Sequence, residues 1–149
     1  MAVLAIAYWL VSPLFINKEV SEGIEKIVSL ADTATDSSEK NSDLPEIISS
    51  GSFVGIQGHN AEGRAVLIKS GEKYFVRFEE DFRVTNGPDL FVHFGKDGEY
   101  AATARLDGLK GNVGSQNYEV PSEINPEDFN EVWVWCRAFS VGFAQAILQ

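Results

Sequence analysis

The run Glu131-Val132-Trp133-Val134-Trp135-Cys136-Arg137 decides the fold. Its β-branched and aromatic residues suit a pleated strand, in which successive side chains point to opposite faces. Val132, Val134 and Cys136 then share one face, and Trp133 and Trp135 share the other. Both faces are apolar, which predicts a strand covered on both sides. The only cysteine of the chain sits at its C-terminal end.

Outward from this strand the texture repeats. Period-two runs broken by turn residues predict strands over 52–57, 64–69, 73–79, 89–95, 99–106, 116–120 and 140–148, with a short one at 109–112. Tyr74, Val76 and Phe78 should face one way, and Leu90, Val92 and Phe94 should point inward. That alternation leaves Phe91 and His93 on the outer side, with His93 read as a surface residue. Asn86-Gly87-Pro88-Asp89 is a turn, because glycine supplies positive φ and proline fixes its neighbour. Residues 125–129 read as a turn or a single helical turn. In the last strand Gly142, Ala144 and Ala146 alternate with Val141, Phe143, Gln145 and Ile147. The small face leaves room for Trp133, Trp135 or Phe139. About eight or nine strands within 50–149, and no long helix, predict an all-β domain: an antiparallel β-sandwich or barrel.

The first third of the chain is different. Residues 2–16, AVLAIAYWLVSPLFI, carry no charge. As a helix they span about 22 Å, short of the ~30 Å hydrocarbon core. The stretch has neither a basic leader nor a small-residue cleavage site. It reads as an N-terminal hydrophobic helix and membrane anchor over 1–16, either truncated at its start or spanning a thinned bilayer. The competing reading is a buried helix of the soluble domain. Residues 17–49 follow as a short amphipathic helix over 18–30, with Val20, Ile24, Ile27 and Val28 on one side, and then a flexible polar spacer. Leu44 to Ile48 reads as a lead-in packed on the domain edge.

Charge and cysteine count narrow the chemistry. A net charge of -10, from 22 acidic and 12 basic residues, argues against a nucleic-acid partner. One cysteine excludes an internal disulfide and a cysteine-based zinc cluster. His59, His93 and Cys136 lack the spacing of a blue-copper site, and no metal ligand set is assigned. Motifs for a serine nucleophile, a zinc protease, a phosphate loop or covalent haem attachment are missing. Asp81 and Asp89 with the Gly87 amides form a polar cluster at a strand end, readable as turn stabilisation or as an acid–base pair. His59, in a glycine-flanked turn, reads as a loop cap or as a group near the thiol. Cys136 itself is either a buried inert thiol or a redox group.

Several blocks, in order, are similar to the DM-thirteen domain (electron transfer DM-thirteen). They are Gly51-Ser52-Phe53 with His59 and Gly63; Asp81-Phe82-Arg83-Val84-Thr85-Asn86-Gly87-Pro88-Asp89-Leu90; Leu109-Lys110-Gly111-Asn112-Val113-Gly114-Ser115-Gln116-Asn117-Tyr118; and Val134-Trp135-Cys136 with Phe139 and Phe143. The anchor's Pro13-Leu14-Phe15-Ile16 junction resembles that of membrane-anchored, single-domain prokaryotic members. The resemblance implies a β-sandwich displayed outside the cytoplasm. It also implies a redox or electron-transfer role for Cys136, as a free thiol or as the thiolate ligand of a haem-like group. Cys136, Trp135, Phe139 and His59 are the candidate cofactor residues, with haem the candidate cofactor. A redox partner protein and the membrane are the implied partners, and the domain is read as a module rather than a stand-alone enzyme. The alternative is a ligand-binding or adhesion β-domain with a structural cysteine. It would recognise its ligand through the loops at Asn86 to Asp89 and Asn112 to Tyr118.

Overall fold

The computed structural model describes Ile6, residues 16–32 and residues 44–149. Most of the expected anchor and of the polar spacer lies outside these residues. Among the described residues there are ten strands: β1 (Glu46–Gly55), β2 (Ala61–Glu62), β3 (Arg64–Ser70), β4 (Lys73–Phe78), β5 (Arg83–Val84), β6 (Leu90–Lys96), β7 (Glu99–Gly108), β8 (Gln116–Glu119), β9 (Glu131–Cys136) and β10 (Val141–Ile147). Eight pair antiparallel in the order β7-β6-β9-β10-β1-β3-β4-β8, a sheet curled into a nearly closed barrel. The short strands β2 and β5 pair with each other. Pro126–Asp128 is a single 3-10 turn, capped by the Asn125 side chain.

The barrel follows from the alternation. Val132, Val134 and Cys136 of β9 join Val76 and Phe78 of β4 and Leu90, Val92 and Phe94 of β6 in one interior core. Phe53, Phe78 and Phe82 meet there with ring centroids 4.5–5.0 Å apart. Closing a sheet requires local bending, which bulges provide. β10 has a register shift between Gly142 and Ala144, so Ala144 and Ala146 pair with Val134 and Val132 and face the interior. Their small side chains leave space for Phe53, the register partner of Ala146 on β1, rather than for a tryptophan. Only Gly142 keeps the expected role: a Cβ there would come within 3.0 Å of the Trp133 ring.

Trp133 and Trp135 line the outer face of β9. The Trp133 indole donates to Glu131 Oε2 at 2.8 Å, and the Gly98 amide donates to Glu131 Oε1 at 2.8 Å. Tyr100 stacks on Trp135, ring centroids 3.7 Å apart. His93 is a correction to the alternation argument. It is buried against Trp133's strand, its Nδ1 donating to the Ala101 carbonyl at 3.0 Å. β7 makes this possible, since its register slips on both sides of His93 and lets the strand fold over the ring.

Two further expectations are corrected. Residues 109–112 form no strand; they belong to a loop between β7 and β8. The helix expected over 18–30 is shorter and later: α1 (Glu25–Asp32). Its Ile27 is fully buried against Val66, Ile68 and Phe75, the outward faces of β3 and β4. Residues 16–23 run extended along the barrel as a strap. Among the described residues no helix is long and apolar enough to cross a membrane.

Candidate functional site

The strand directions put all the motif loops at one end of the barrel. β6 starts there at Leu90, opposite Cys136 at the end of β9, and β10 starts there at Val141. The loops 56–60, 79–89, 109–115 and 137–140 therefore share this motif end. The turns at 71–72, 97–98 and 121–124 lie at the opposite end, about 20 Å away along the strands.

The Leu109-to-Tyr118 block is built as a cradle. Gln116 is buried inside it, donating to the carbonyls of Gly111 and Gly114 and accepting from the Gly111 amide. Tyr118 donates to Gln116 Oε1 and accepts from the Lys110 amide at 3.0 Å. Burial pushes its phenol well above the usual range, so it stays a donor. A buried side chain that satisfies several backbone groups fixes a loop that has no ladder of its own.

What the cradle holds is the strap. Val20 N donates to Val113 O at 2.9 Å, and Glu22 N donates to Ser115 O at 2.9 Å. Asn112 accepts from Lys18 N at 2.7 Å and donates to Asn17, while Asn117 donates to Gly23 O. Gly111 and Gly114 are required by this approach: a Cβ would lie 2.4 Å from Lys18 O at the first and 2.0 Å from Val20 O at the second. Gly114 also has φ +96°, in the left-handed region. Glu22 closes the clamp, its Oε2 accepting from Lys110 Nζ and from the Asn117 amide, both at 2.8 Å. Burial alone would raise its carboxyl. The hydrogen bonds from Lys110, Lys26 and Asn117 outweigh that and hold the pKa at about 2.

The Asp81-to-Leu90 block lies beside the cradle. Asn86 donates to Ile16 O and accepts from its own neighbour, Gly87. Gly87 lies under the Phe143 ring, which a Cβ would meet at 2.8 Å. Asp89 pairs with Arg137 at 2.9 Å, and Asp81 accepts from the Arg64 amide at 3.3 Å. The two carboxylates thus have separate partners. Among the described residues no group of three or more His, Cys, Asp or Glu could hold a metal ion. Between the two blocks lies a groove of about 530 Å³, lined by residues 86–91, 109–112 and 16–18. A second hollow of about 360 Å³ adjoins it, sharing Asn17, Asn86 and Asn112.

The four candidate cofactor residues are not brought to one surface. Cys136 has no exposed area and lies in the interior core. Trp135 is on the outside of the same strand under Tyr100. Phe139 is 64% exposed on the turn after β9. His59 stacks on Phe143, centroids 3.6 Å apart, with Nδ1 donating to Ile56 O at 3.1 Å.

The sequence profile of the family described as electron transfer DM13 matches residues 52–148. The chain belongs to the DM13 family. No curated protein and no solved structure shows a significant match. The DM13 description points to an electron-transfer role at the level of the family.

A haem-like group on Cys136 does not fit this DM13 domain. Thiolate ligation needs the macrocycle against the sulfur. Here the sulfur faces a core filled by aromatic and aliphatic side chains, and it lines neither the groove nor the hollow. The contribution that sequence reasoning missed is the strap. Its signal was the pair of glycines around Asn112, which mark close backbone approach where no phosphate-loop context exists.

Proposed function

We propose that this DM13 chain is a membrane-anchored, extracytoplasmic module of an electron-transfer system. It acts by binding through the groove at its motif end, with Cys136 as a packing residue. One observation carries this reading: the thiol is fully buried while both motif blocks converge on an open groove. The groove is lined by polar residues (Asn17, Asn86, Asn112, Lys18 and Lys110) and by apolar ones (Ile16, Leu90, Phe91 and Leu109), with the apolar surface the larger share. Arg105 and Arg137 lie over the Phe91 ring at 5.0 and 4.7 Å. Such a mixture of apolar and polar groups suits a protein surface or an amphipathic ligand. Residues 2–16 supply the anchor, on their lack of charge, in a bilayer thinned toward their span of about 22 Å.

A second reading has one specific support. Leu90 lines the groove and is also the register partner of Cys136. The thiol is therefore one side chain away from the groove, and a movement of Leu90 would open it to a redox partner. Alkylation of the thiol in the folded protein separates these readings, and titration with haem tests ligation by the thiol. The binding account expects no thiolate-type Soret band and the same spectrum for Cys136→Val. A band that disappears in Cys136→Val would overturn it.

A further inference from the structure

The polar stretch 33–43 reads in sequence as a spacer between anchor and barrel, but the structure gives it another place. Along the chain come the apolar run, the strap, α1, the polar stretch and then β1. The strap and α1 are both docked on the barrel. Ile16, last residue of the apolar run, is held by Asn86 through its carbonyl, and two residues later Lys18 N is bonded to Asn112. Ile16 itself is therefore bonded to the barrel, and the elements on either side of the polar stretch, α1 and β1, both belong to the packed body.

We propose that the motif end of the barrel is held against the lipid headgroups, and that this end is a bilayer-contacting surface. The proposal rests on the reading of residues 2–16 as an anchor. A second, independent observation supports it. Phe139, outside the anchor run, is 64% exposed on the 137–140 turn at the motif end. Phe139 takes no part in the interior core, and an exposed phenyl on a turn gains by entering the interface. Of the cations nearby, Arg137, Arg83 and Lys110 have anionic partners in Asp89, Glu62 and Glu22, while Lys18, Arg64 and Arg105 make no ion pair among the described residues. Glu79, Glu80, Asp81 and Asp107 at the same end offset them, so the contact is made by apolar insertion and anionic lipid adds little to it. The opposite end also exposes apolar side chains, Leu44, Ile47 and Ile48 leading into the start of β1 and Ile147 at the end of β10; in this orientation they stay in water. In this arrangement the groove opens at the membrane surface, so its ligand is met there.

The test uses the full-length chain reconstituted in phosphatidylcholine vesicles and recovered by flotation. A fluorophore is placed at Ala138→Cys on the motif end or Ser122→Cys on the opposite end. Both are made in a Cys136→Val background, and repeated with the buried native thiol retained. Headgroup-spin-labelled lipid is the quencher. The expected result is several-fold stronger quenching at 138 than at 122, unchanged by added phosphatidylserine. Phe139→Asp should weaken it, as should Gly114→Val, which loosens the strap. Equal quenching at the two sites, or stronger quenching at 122, overturns the orientation while leaving the anchor intact. Failure to float overturns the anchor reading and the orientation with it.

Discussion

Glu22 on the strap and Lys110 in the cradle form an ion pair at 2.8 Å, across 88 residues of sequence. This pair joins the least regular part of the chain to one of its most distinctive motifs. Its side chains are shielded, with Glu22 only 13% exposed, so it is worth more than a surface pair. Glu22→Gln should lower stability at pH 7 by on the order of 2 kcal/mol, discounted for residual solvent. Denaturant unfolding of the two proteins checks this.

The same carboxyl sets an acid limit. Its folded pKa, about 2, lies below the ordinary 4.5, so its contribution is complete above 4.5 and is lost as pH falls toward 2. His93 acts in the same direction at higher pH. Burial, aided by Arg105 and opposed by the Ala101 carbonyl, lowers its pKa from 6.5. Its neutral form is favoured in the fold, and stability is lost as pH falls below 6.5 through the folded value. Unfolding curves between pH 7 and pH 2 should show a decline that sets in below 6.5 and steepens below 4.5. Glu22→Gln should remove the steepening alone.

The strap should be the part released first when the cradle is spoiled. Gly114→Val places a Cβ on Val20 O and imposes positive φ on a branched residue. Hydrogen exchange should show the Val20 and Glu22 amides losing protection by at least about tenfold, as expected when about 1.4 kcal/mol of local stability is lost. The β9 amides should stay protected.

On the outer face, Glu131 satisfies two donors at once, the Trp133 indole and the Gly98 amide. Glu131→Ala leaves both unpaired beside a buried ring, a loss of about 2–4 kcal/mol. The change should register as a lower Tm and a shifted tryptophan emission. Glu131→Gln keeps one acceptor but turns an NH2 on the other donor, so it should recover at most about half of the loss.

Much of the barrel was legible because period two is a strong signal. Leu90, Val92 and Phe94 point inward as their spacing requires, and Val132, Val134 and Cys136 do the same. Alternation assigns a face but does not say what covers it. His93 is on the predicted face, yet the slipped register of β7 buries it. The same limit applies to Ala144 and Ala146, which a bulge turns inward. The strap was hidden for another reason. Val20, Ile24, Ile27 and Val28 fit a helical stripe, but helix begins only after Gly23, because the backbone of 18–22 is bonded to the 112–117 loop. Contacts of that sequence separation leave no local pattern. The groove was half legible: its two motif blocks were distinct in sequence, but their convergence was not.

The account turns on whether the Cys136 thiol is a packing group. The direct measurement is the rate of its alkylation by a small maleimide in the full-length folded protein, followed as denaturant is added. The account predicts negligible reaction in buffer, and a rate that rises only with the unfolding transition, because the sulfur is enclosed by the barrel core. Rapid labelling without denaturant, at a rate near that of the unfolded chain, would contradict it and return the thiol to the centre of the mechanism.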